Sequence, residues 1–336
     1  MDDIYYIIKS RVYELAQYAV EEQYKIQPAW TSYGSAGYIR ALEDSRYHML
    51  MLASSYALND INMLGNYYSW LDILFKRLKL PANTAFDSLN TAAEIIDTKL
   101  RLNDSMKNFV IRITQNSHHV SSESVLQLSR EAQEYYNFIT KGNQRQAVNY
   151  ILDIYKQGMQ IIDIYNTIFI PIQSLIGKLW HEGKISVGEE HYCTAVTQVA
   201  LANLYQFFFT GEKKQHKLIA AAVSGELHEL PIRFLADVFE MHNWNTHYYG
   251  ASTPLPALLQ AVSEHKPNLL CLSVTMPFLV PELTEYIATI KKSHASLPIM
   301  VGGRPFSINQ ELYKAVGADA AAETALLALK KAEMLL

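Results

Sequence analysis

The sequence has little of three things: cysteine, excess positive charge and long apolar runs. Its two cysteines, Cys193 and Cys271, form no Cys-x-x-Cys motif, which excludes a disulfide framework and a cysteine-rich zinc site. The net charge of −4, without a dense Lys/Arg patch, argues against direct DNA binding. No apolar run approaches the roughly 18 residues that span a bilayer, and the N-terminus is acidic where a signal peptide is basic. We therefore expect a cytoplasmic protein with no membrane attachment.

The chain has 336 residues, of which 49% are hydrophobic and 18% are charged, and this is enough for several folded domains. In residues 1–115, apolar residues recur at spacings of three and four, which predicts an N-terminal helical domain. The polar residues 104–125 are typical of a linker. Residues 125–212 predict a four-helix bundle, in which Pro171 would kink or break the third helix.

The apolar period changes in residues 216–336. Short strand-like runs alternate there with amphipathic segments, and these runs are KLIAAAV, NTHYYG, NLLCLSVT, PIMVGG and ADAAA. Strict alternation predicts a parallel sheet with right-handed crossovers. The size fits a flavodoxin-like Rossmann domain with five parallel strands, whose ligands bind at the carboxyl ends of the strands. The predicted fold class is therefore α/β for this domain and all-α for the two domains before it.

Polar residues and glycines gather at these predicted strand ends. They are Glu226, His228 and Pro231 after the first strand, Ser273, Val274 and Thr275 after the third, and Gly302 and Gly303 after the fourth. Each signal alone is weak, because a loop histidine is usually a surface residue and a glycine pair is often a tight turn. Their joint placement on adjacent strand ends indicates one ligand site.

These residues resemble the motifs of the cobalamin-binding (B12-binding) domain family, which carries Asp-x-His-x-x-Gly, then Ser-x-Leu or Ser-x-Thr, then Gly-Gly. The resemblance implies that His228 replaces the cofactor's own base as the lower cobalt ligand, and that the displaced nucleotide tail threads into the sheet. A carboxylate two residues away can hold the other imidazole nitrogen. Two positions depart from the motif. Glu226 stands in place of Asp, so its bond to His228 is either direct or lost, and Pro231 stands in place of Gly.

The bundle sequence IPIQSLIGKLWHEGKISVGEEHYCTAVTQ resembles the B12 module of CarH-type light sensors, which bind adenosylcobalamin. Their hallmark is Trp, nine residues, then Glu-His, and Trp180, Glu190 and His191 match it. The resemblance implies that these three residues face the adenosyl group. Ser186 and Glu189 form a capping box, which predicts a helix beginning at Ser186. The alternative is that Trp180 belongs to the bundle core and Glu190 only favours the helix dipole.

His181 follows the tryptophan directly, and the same resemblance implies that it becomes the upper cobalt ligand once light has removed the adenosyl group. The alternative is an exposed histidine favoured by a helix C-terminus. The cobalamin site implied by the two resemblances consists of Trp180, His181, Val187, Glu190, His191, Glu226, Leu227, His228, Glu229, Leu230, Pro231, Tyr249, Gly250, Ser273, Val274, Thr275, Gly302, Gly303 and Arg304.

The N-terminal segment LEDSRYHMLMLASSYALNDINMLGNYYSWLDILFKRL resembles the helical domain of stand-alone B12 photoreceptors, the photocobilins, which hold biliverdin beside the B12. A bilin needs aromatic walls and cations for its propionates. The candidate residues are Arg46, Tyr47, His48, Tyr67, Tyr68 and Trp70. The alternative is an aromatic helix-packing core with a snorkelling arginine.

The resemblances together imply an adenosylcobalamin-dependent light sensor that is not an enzyme and that carries biliverdin as a second chromophore. Breaking of the cobalt–carbon bond by light would change the packing of the bundle on the Rossmann domain, and with it the assembly of a homo-oligomer, expected to be a dimer, that signals to an unidentified protein. The alternative is a corrinoid methyl carrier of a methyltransferase system. Trp180 and the Glu190–His191 pair argue against it, because a methyl group needs no adenosine-sized pocket.

Overall fold

The computed structural model describes residues 2–115, 127–208 and 216–336. The chain forms two compact units. The first consists of Met1–Ser122 with Met276–Glu285, and the second of Glu123–Thr275 with Tyr286–Leu336. Within the described ranges, no helix is long and apolar enough to cross a membrane.

The first unit is helical, as its apolar spacing predicts. Its helices are α1 Asp2–Ser10, α2 Val12–Ile26, α3 Gly34–Ala57, α4 Ile61–Arg77, α5 Thr84–Leu100 and α6 Ser105–Gln115, with a 3₁₀ turn at Pro28–Tyr33. The prediction of a linker at 104–125 was wrong for α6. Met106 and Phe109 on this helix are buried, and the buried carboxylate of Asp97 accepts hydrogen bonds from the backbone N–H groups of Met106 and Lys107, each at 2.9 Å. An acceptor supplied by α5 thus satisfies the first amides of α6.

The first unit also contains residues 276–285, which no local sequence pattern predicted. The backbone carbonyl of Phe278 accepts hydrogen bonds from Tyr5 Oη at 3.2 Å and Ser54 Oγ at 2.9 Å. Lys9 forms an ion pair with Glu282. Both hydroxyl donors are buried. These hydrogen bonds satisfy polar groups whose burial without partners would destabilise the helical core.

The second unit begins with the predicted four-helix bundle. Its helices are α7 Arg130–Thr140, α8 Gln144–Lys156, α9 Ile161–Ile164, α10 Ile170–His181 and α11 Val187–Leu204. A π-helical turn, Tyr165–Phe169, joins α9 to α10 just before Pro171. Proline cannot donate its backbone nitrogen and its ring crowds the preceding turn, so the wider turn lets the third helix continue. Pro171 therefore does not break this helix.

The predicted sheet of five parallel strands is confirmed, in the order β2-β1-β3-β4-β5. The strands are β1 Lys217–Val223, β2 Asn245–Thr253, β3 Leu269–Ser273, β4 Ile299–Gly302 and β5 Ala320–Ala321. The helices between and after them are α12 Leu230–Met241, α13 Leu255–His265, α14 Val280–Ser293, α15 Arg304–Ile308, α16 Leu312–Ala315 and α17 Ala325–Leu335. Strand β1 is almost entirely buried, as a central strand covered on both faces should be.

Strand β2 runs three residues further than its sequence predicts, because Gly250 and Ser252 form irregular steps with positive φ values of 76° and 49°. The backbone N–H of Ser252 donates to the carbonyl of Glu226 at 2.9 Å. The ends of β1 and β2 are thereby tied together, and all the loops that follow the central strands lie at one edge of the sheet.

Candidate functional site

A buried carboxylate holds the loop imidazole after β1. Glu226 is fully buried, and its Oε1 accepts from the ring nitrogen Nδ1 of His228 at 2.6 Å and from the His228 backbone N–H at 2.9 Å. Its Oε2 accepts from the backbone N–H of Thr275 at 2.6 Å. The sequence left open whether glutamate, one methylene longer than the motif aspartate, still reaches the histidine, and the structure shows a direct bond.

This bond fixes the chemistry that His228 can offer. When Nδ1–H donates to the carboxylate, the other ring nitrogen, Nε2, carries the lone pair that binds a metal. The His228 side chain is 53% exposed although its partner is buried. The hydrogen bond to Glu226 raises the pKa of His228, and partial burial opposes that shift only in part. The Glu226–His228 pair therefore offers a single imidazole nitrogen as a metal ligand. This suits a metal whose other ligands belong to a cofactor.

Buried hydroxyls at the same sheet edge still have hydrogen-bonding capacity. Thr275 Oγ1 and Thr253 Oγ1 are buried, and neither has a hydrogen-bond partner among the described residues. Ser273 is 3% exposed. Buried hydroxyls without partners are costly, so this edge fits a polar ligand that would satisfy them. Sequence reasoning missed Thr253, since its segment was taken as a loop; a hydroxyl at the end of a strand next to β1 was the available signal.

Gly303 brings the ends of β3 and β4 close together. Its φ is +113°, and a Cβ atom there would lie 1.9 Å from the carbonyl oxygen of Val274. A Cβ on Gly302 would lie 3.2 Å from the carbonyl oxygen of Ala322. The sequence left open whether this glycine pair forms only a tight turn or belongs to a ligand site. The structure shows that Gly303 is already required by the approach of the two strand-end loops.

Several large apolar side chains predicted for the site face solvent. Trp180 is 37% exposed, Val187 50%, Leu227 74% and Tyr249 38%. Pro231 and Arg304 are also exposed, Leu230 and Val274 are buried, and Gly250 is buried at the β2 irregularity. Apolar side chains gathered at a predicted site fit a large, mainly apolar ligand that would cover them.

The bundle supplies a second carboxylate, on the first turn of α11. The predicted capping box is confirmed, since Ser186 and Glu189 bond reciprocally. Glu190 is thereby left for other partners: its Oε1 accepts from Thr194 Oγ1 at 3.2 Å, and its Oε2 lies 3.4 Å from His191 Nε2. His191 is mostly exposed.

Polar contacts run from Glu190 into the bundle core, and the single hydroxyl proton of Thr194 is shared between Glu190 Oε1 and Gln173 Oε1. Thr194 Oγ1 lies 3.0 Å from Gln173 Oε1, and Gln173 Nε2 donates to Thr197 Oγ1 at 2.9 Å. Thr197 lies 3.1 Å from the buried hydroxyl of Tyr135. Trp180 and His181 end α10, two turns beyond Gln173, so Trp180 falls on the same side of the helix as Gln173. The structure thus fixes Glu190 through residues of three helices, and sequence reasoning missed this support.

The candidate bilin residues lie in the first unit, and the structure brings only some of them together. His48 is buried, and its Nδ1 lies 2.8 Å from Tyr67 Oη, while the Tyr67 ring stacks on Trp70 with a centroid distance of 6.1 Å. Arg46 instead lies over the ring of Tyr13 at 3.9 Å. Tyr47 is half exposed with its ring 5.5 Å from that of Phe278, and Tyr68 is half-buried.

A row of titratable residues on α3 was missed by sequence reasoning: Arg40 is exposed, Asp44 is half-buried and His48 is buried. Arg40, Asp44 and His48 follow one another at spacings of four and so share one face of the helix. Burial raises the pKa of Asp44 to about 6, with Arg40 opposing the shift, and burial lowers the pKa of His48 to about 4. Titratable groups with shifted pKa values, next to the Tyr67–Trp70 pair, mark a candidate functional site.

Comparison with known families agrees with the geometry of the second unit. Residues 216–330 match the family model of the B12 binding domain, and residues 131–205 match a second B12 binding domain model. The first match covers the parallel sheet with Glu226 and His228. The second covers the bundle with Trp180, Glu190 and His191.

The individual relatives are of two kinds, corrinoid proteins and a transcriptional repressor. The chain is 24% identical over 187 residues to the dimethylamine corrinoid protein 1 of Methanosarcina mazei, a match that covers 54% of this chain and 85% of that protein. It is 25% identical over 120 residues to the HTH-type transcriptional repressor CarA of Myxococcus xanthus, covering 36% of this chain and 41% of the repressor. Among solved structures, the monomethylamine corrinoid protein of Methanosarcina barkeri shares the fold, with a TM-score of 0.55, 17% identity, and coverage of 61% of this chain and 98% of that one.

Proposed function

The chain carries two B12-binding domains and is a cobalamin-binding protein, and from this premise we propose that it is a light sensor loaded with adenosylcobalamin, with biliverdin as its second chromophore. The observation that carries the proposal is the Trp180, Glu190 and His191 set on the bundle, with Glu190 part of a polar network that reaches Tyr135. A carboxylate fixed in this way suits a ligand group with hydroxyls, such as the ribose of an adenosyl group.

Adenosylcobalamin, when bound, supplies the absorption of visible light and a cobalt–carbon bond that light breaks. His228 would hold the cobalt from below through Nε2, with its ring oriented by Glu226. Thr275 and Thr253 would donate hydrogen bonds to polar groups of the cofactor. His181, next to Trp180, would offer a second imidazole to the cobalt, because neutral imidazole is a good ligand for this metal.

The signal would leave through a change in packing between the bundle and the Rossmann domain. The two are joined by Tyr165 Oη donating to Asp237 Oδ2 at 2.9 Å and by a hydrogen bond between Gln198 and Glu229. Such polar contacts have discrete alternative partners and can act as a two-state element. We propose that the protein is not an enzyme, that light alters its assembly as a homo-oligomer, and that the new assembly is recognised by a downstream protein.

The second chromophore would use the row Arg40, Asp44 and His48 on α3 of the first unit. The Asp44 carboxylate can accept from pyrrole N–H groups, Arg40 can pair with a propionate, and the Tyr67–Trp70 pair offers an aromatic wall. Titrating the full chain with biliverdin tests this part. A bound red-absorbing band that weakens in Asp44→Asn is expected, and a titration indistinguishable from free biliverdin would remove the bilin from the proposal.

The light reaction is tested on the full chain loaded in the dark and then exposed to green light. We expect the alkylcobalamin spectrum to be replaced by that of a cobalt with two nitrogen ligands, retained by the protein during gel filtration. His181→Ala should give instead the spectrum of a cobalamin with water above and His228 below. A product that is the same in both proteins would remove His181 from the mechanism, and a spectrum unchanged by light would overturn the sensor.

The match to a dimethylamine corrinoid protein over 85% of that protein's length favours a second candidate, a corrinoid methyl carrier. This candidate needs no adenosyl pocket, so Trp180→Ala would leave the relative affinity for adenosylcobalamin and methylcobalamin unchanged. The sensor instead requires that this substitution weaken adenosylcobalamin selectively. Measuring both dissociation constants in the dark separates the two functions.

A further inference from the structure

A cavity of about 210 Å³ lies inside the second unit, where the bundle meets the Rossmann domain. It is lined by Gln198 and Leu201 of α11, Leu230 and Arg233 of α12, Tyr248 of β2, and Glu229. It is many times larger than the roughly 15 Å³ that one water needs on this measure. Glu229 directly follows His228, so the cavity borders the candidate cobalt site.

The cavity wall carries one anion and one cation. Glu229 accepts from the amide of Gln198 and from Tyr248 Oη at 3.3 Å. Arg233 donates through Nε to Asp237 at 2.9 and 3.1 Å. Its other two guanidinium nitrogens keep donor capacity. The wall therefore offers a carboxylate acceptor and a guanidinium donor to the same small space.

This pairing selects a neutral group that is both donor and acceptor. A carboxylate would meet Glu229, an amine would meet Arg233, and an alkyl group would leave both charges without partners. A primary carboxamide satisfies both, its oxygen accepting from Arg233 and its NH₂ donating to Glu229. The corrin ring of cobalamin bears such carboxamides on flexible acetamide and propionamide arms around its rim.

We propose that this cavity, lined by Glu229, Arg233, Gln198 and Tyr248, is a subsite for the carboxamide of one corrin propionamide side chain. It recognises cobalamin at the ring periphery and joins bundle and Rossmann domain through the bound side chain. The inference rests on cobalamin binding and is independent of the light reaction.

The test compares adenosylcobalamin with its three monocarboxylic derivatives, each with one propionamide replaced by propionate. Dissociation constants are measured in the dark by spectral titration of the full chain. In the wild type, one derivative should bind at least about tenfold more weakly than the parent, because its carboxylate faces Glu229, and the other two should bind within about threefold. In Glu229→Gln, the penalty for that derivative should fall below about threefold.

Two further variants complete the design. Glu333→Gln makes the same chemical change at an exposed position of α17 and should keep the full penalty. Gln198→Glu adds a second carboxylate to the cavity at an exposed residue of α11, where folding is easily preserved, and should enlarge the penalty for the same derivative.

Equal binding of all three derivatives by the wild type would overturn the subsite, as would a penalty that Glu229→Gln and Gln198→Glu leave unchanged. Failure of the wild type to bind even the parent would overturn the cobalamin site together with the subsite. A protein that discriminates the derivatives but shows no light response retains the subsite and loses the sensor.

Discussion

Replacing Glu226 by glutamine should damage the cobalt site more than the fold. Three N–H groups converge on the two oxygens of this buried carboxylate, two on Oε1 and one on Oε2. A glutamine keeps the most bonds by placing its oxygen at the Oε1 position, which sets its NH₂ against the backbone N–H of Thr275. The glutamine NH₂ and the Thr275 N–H are then two buried donors that face each other without an acceptor. This should lower the free energy of unfolding by about 1–3 kcal/mol.

The same substitution leaves a weaker, neutral acceptor for His228 Nδ1. Loss of such support typically costs about 10–100-fold in metal affinity, so we expect the dissociation constant for adenosylcobalamin to rise by that factor. The pKa of His228, raised by Glu226 in the wild type, should fall in the variant. Folding raises the pKa of His228. The contribution of the Glu226–His228 pair to the free energy of unfolding is therefore fully present below about pH 6.5, and it is lost as the pH rises through the pKa of His228 in the folded protein.

The assays are spectral titration with cobalamin in the dark, NMR titration of His228 in the cofactor-free protein, and urea unfolding. Glu240→Gln is the matched control, since Glu240 is a buried carboxylate that accepts from the backbone N–H of Thr246 at 3.2 Å, away from the site. It should destabilise the protein without changing cobalamin affinity. Wild-type affinity and an unchanged His228 pKa in Glu226→Gln would refute the role assigned to this carboxylate.

Three more predictions concern stability. Burial lowers the pKa of His48 to about 4 from an unfolded value near 6.5, so the unfolded chain binds the extra proton and stability falls by about 3 kcal/mol as the pH drops through that range; urea unfolding of His48→Gln should lack this component. Gly303→Ala should cost at least about 3 kcal/mol because its Cβ meets a backbone carbonyl, whereas Gly177→Ala, with no atom within 4 Å, should gain about 0.5–1 kcal/mol in thermal unfolding. Thr197→Val should cost about 1–3 kcal/mol by leaving the hydroxyl of Tyr135 without a partner, and adding Tyr135→Phe should recover part of this loss.

The parallel sheet could be predicted from the alternation of strand-like and helical segments, and the reciprocal cap at Ser186 from residues close together in sequence. The pairing of Glu226 with His228 spans two residues, so its motif was also readable. The membership of residues 276–285 in the first unit could not be predicted, since it depends on donors such as Tyr5 and Ser54 more than two hundred residues away. Local periodicity carries no information about partners at that distance.

The candidate site also has some features that local sequence predicts and others that it does not. The motif of the Glu226–His228 loop could be recognised in the sequence, whereas the support of Glu190 involves three helices, through Gln173 and Thr197, and has no local signature. The row Arg40–Asp44–His48 was missed although its spacing of four is visible in the sequence, because only burial in the fold shifts the pKa values of Asp44 and His48. Helix α6 was missed because the polar residues of its exposed face outweighed the spacing of Met106, Phe109, Val110 and Ile113, which are buried in the core.

The central claim, that light acting on bound adenosylcobalamin changes the assembly of this protein, is tested most directly by light scattering during size-exclusion chromatography. The full chain is loaded with adenosylcobalamin and run in the dark and after green light, beside a sample loaded with hydroxocobalamin, which has no adenosyl group to lose. We predict a change in molar mass on illumination of the first sample and none in the second. The same molar mass in darkness and in light, or an equal effect of light on both samples, would contradict the account.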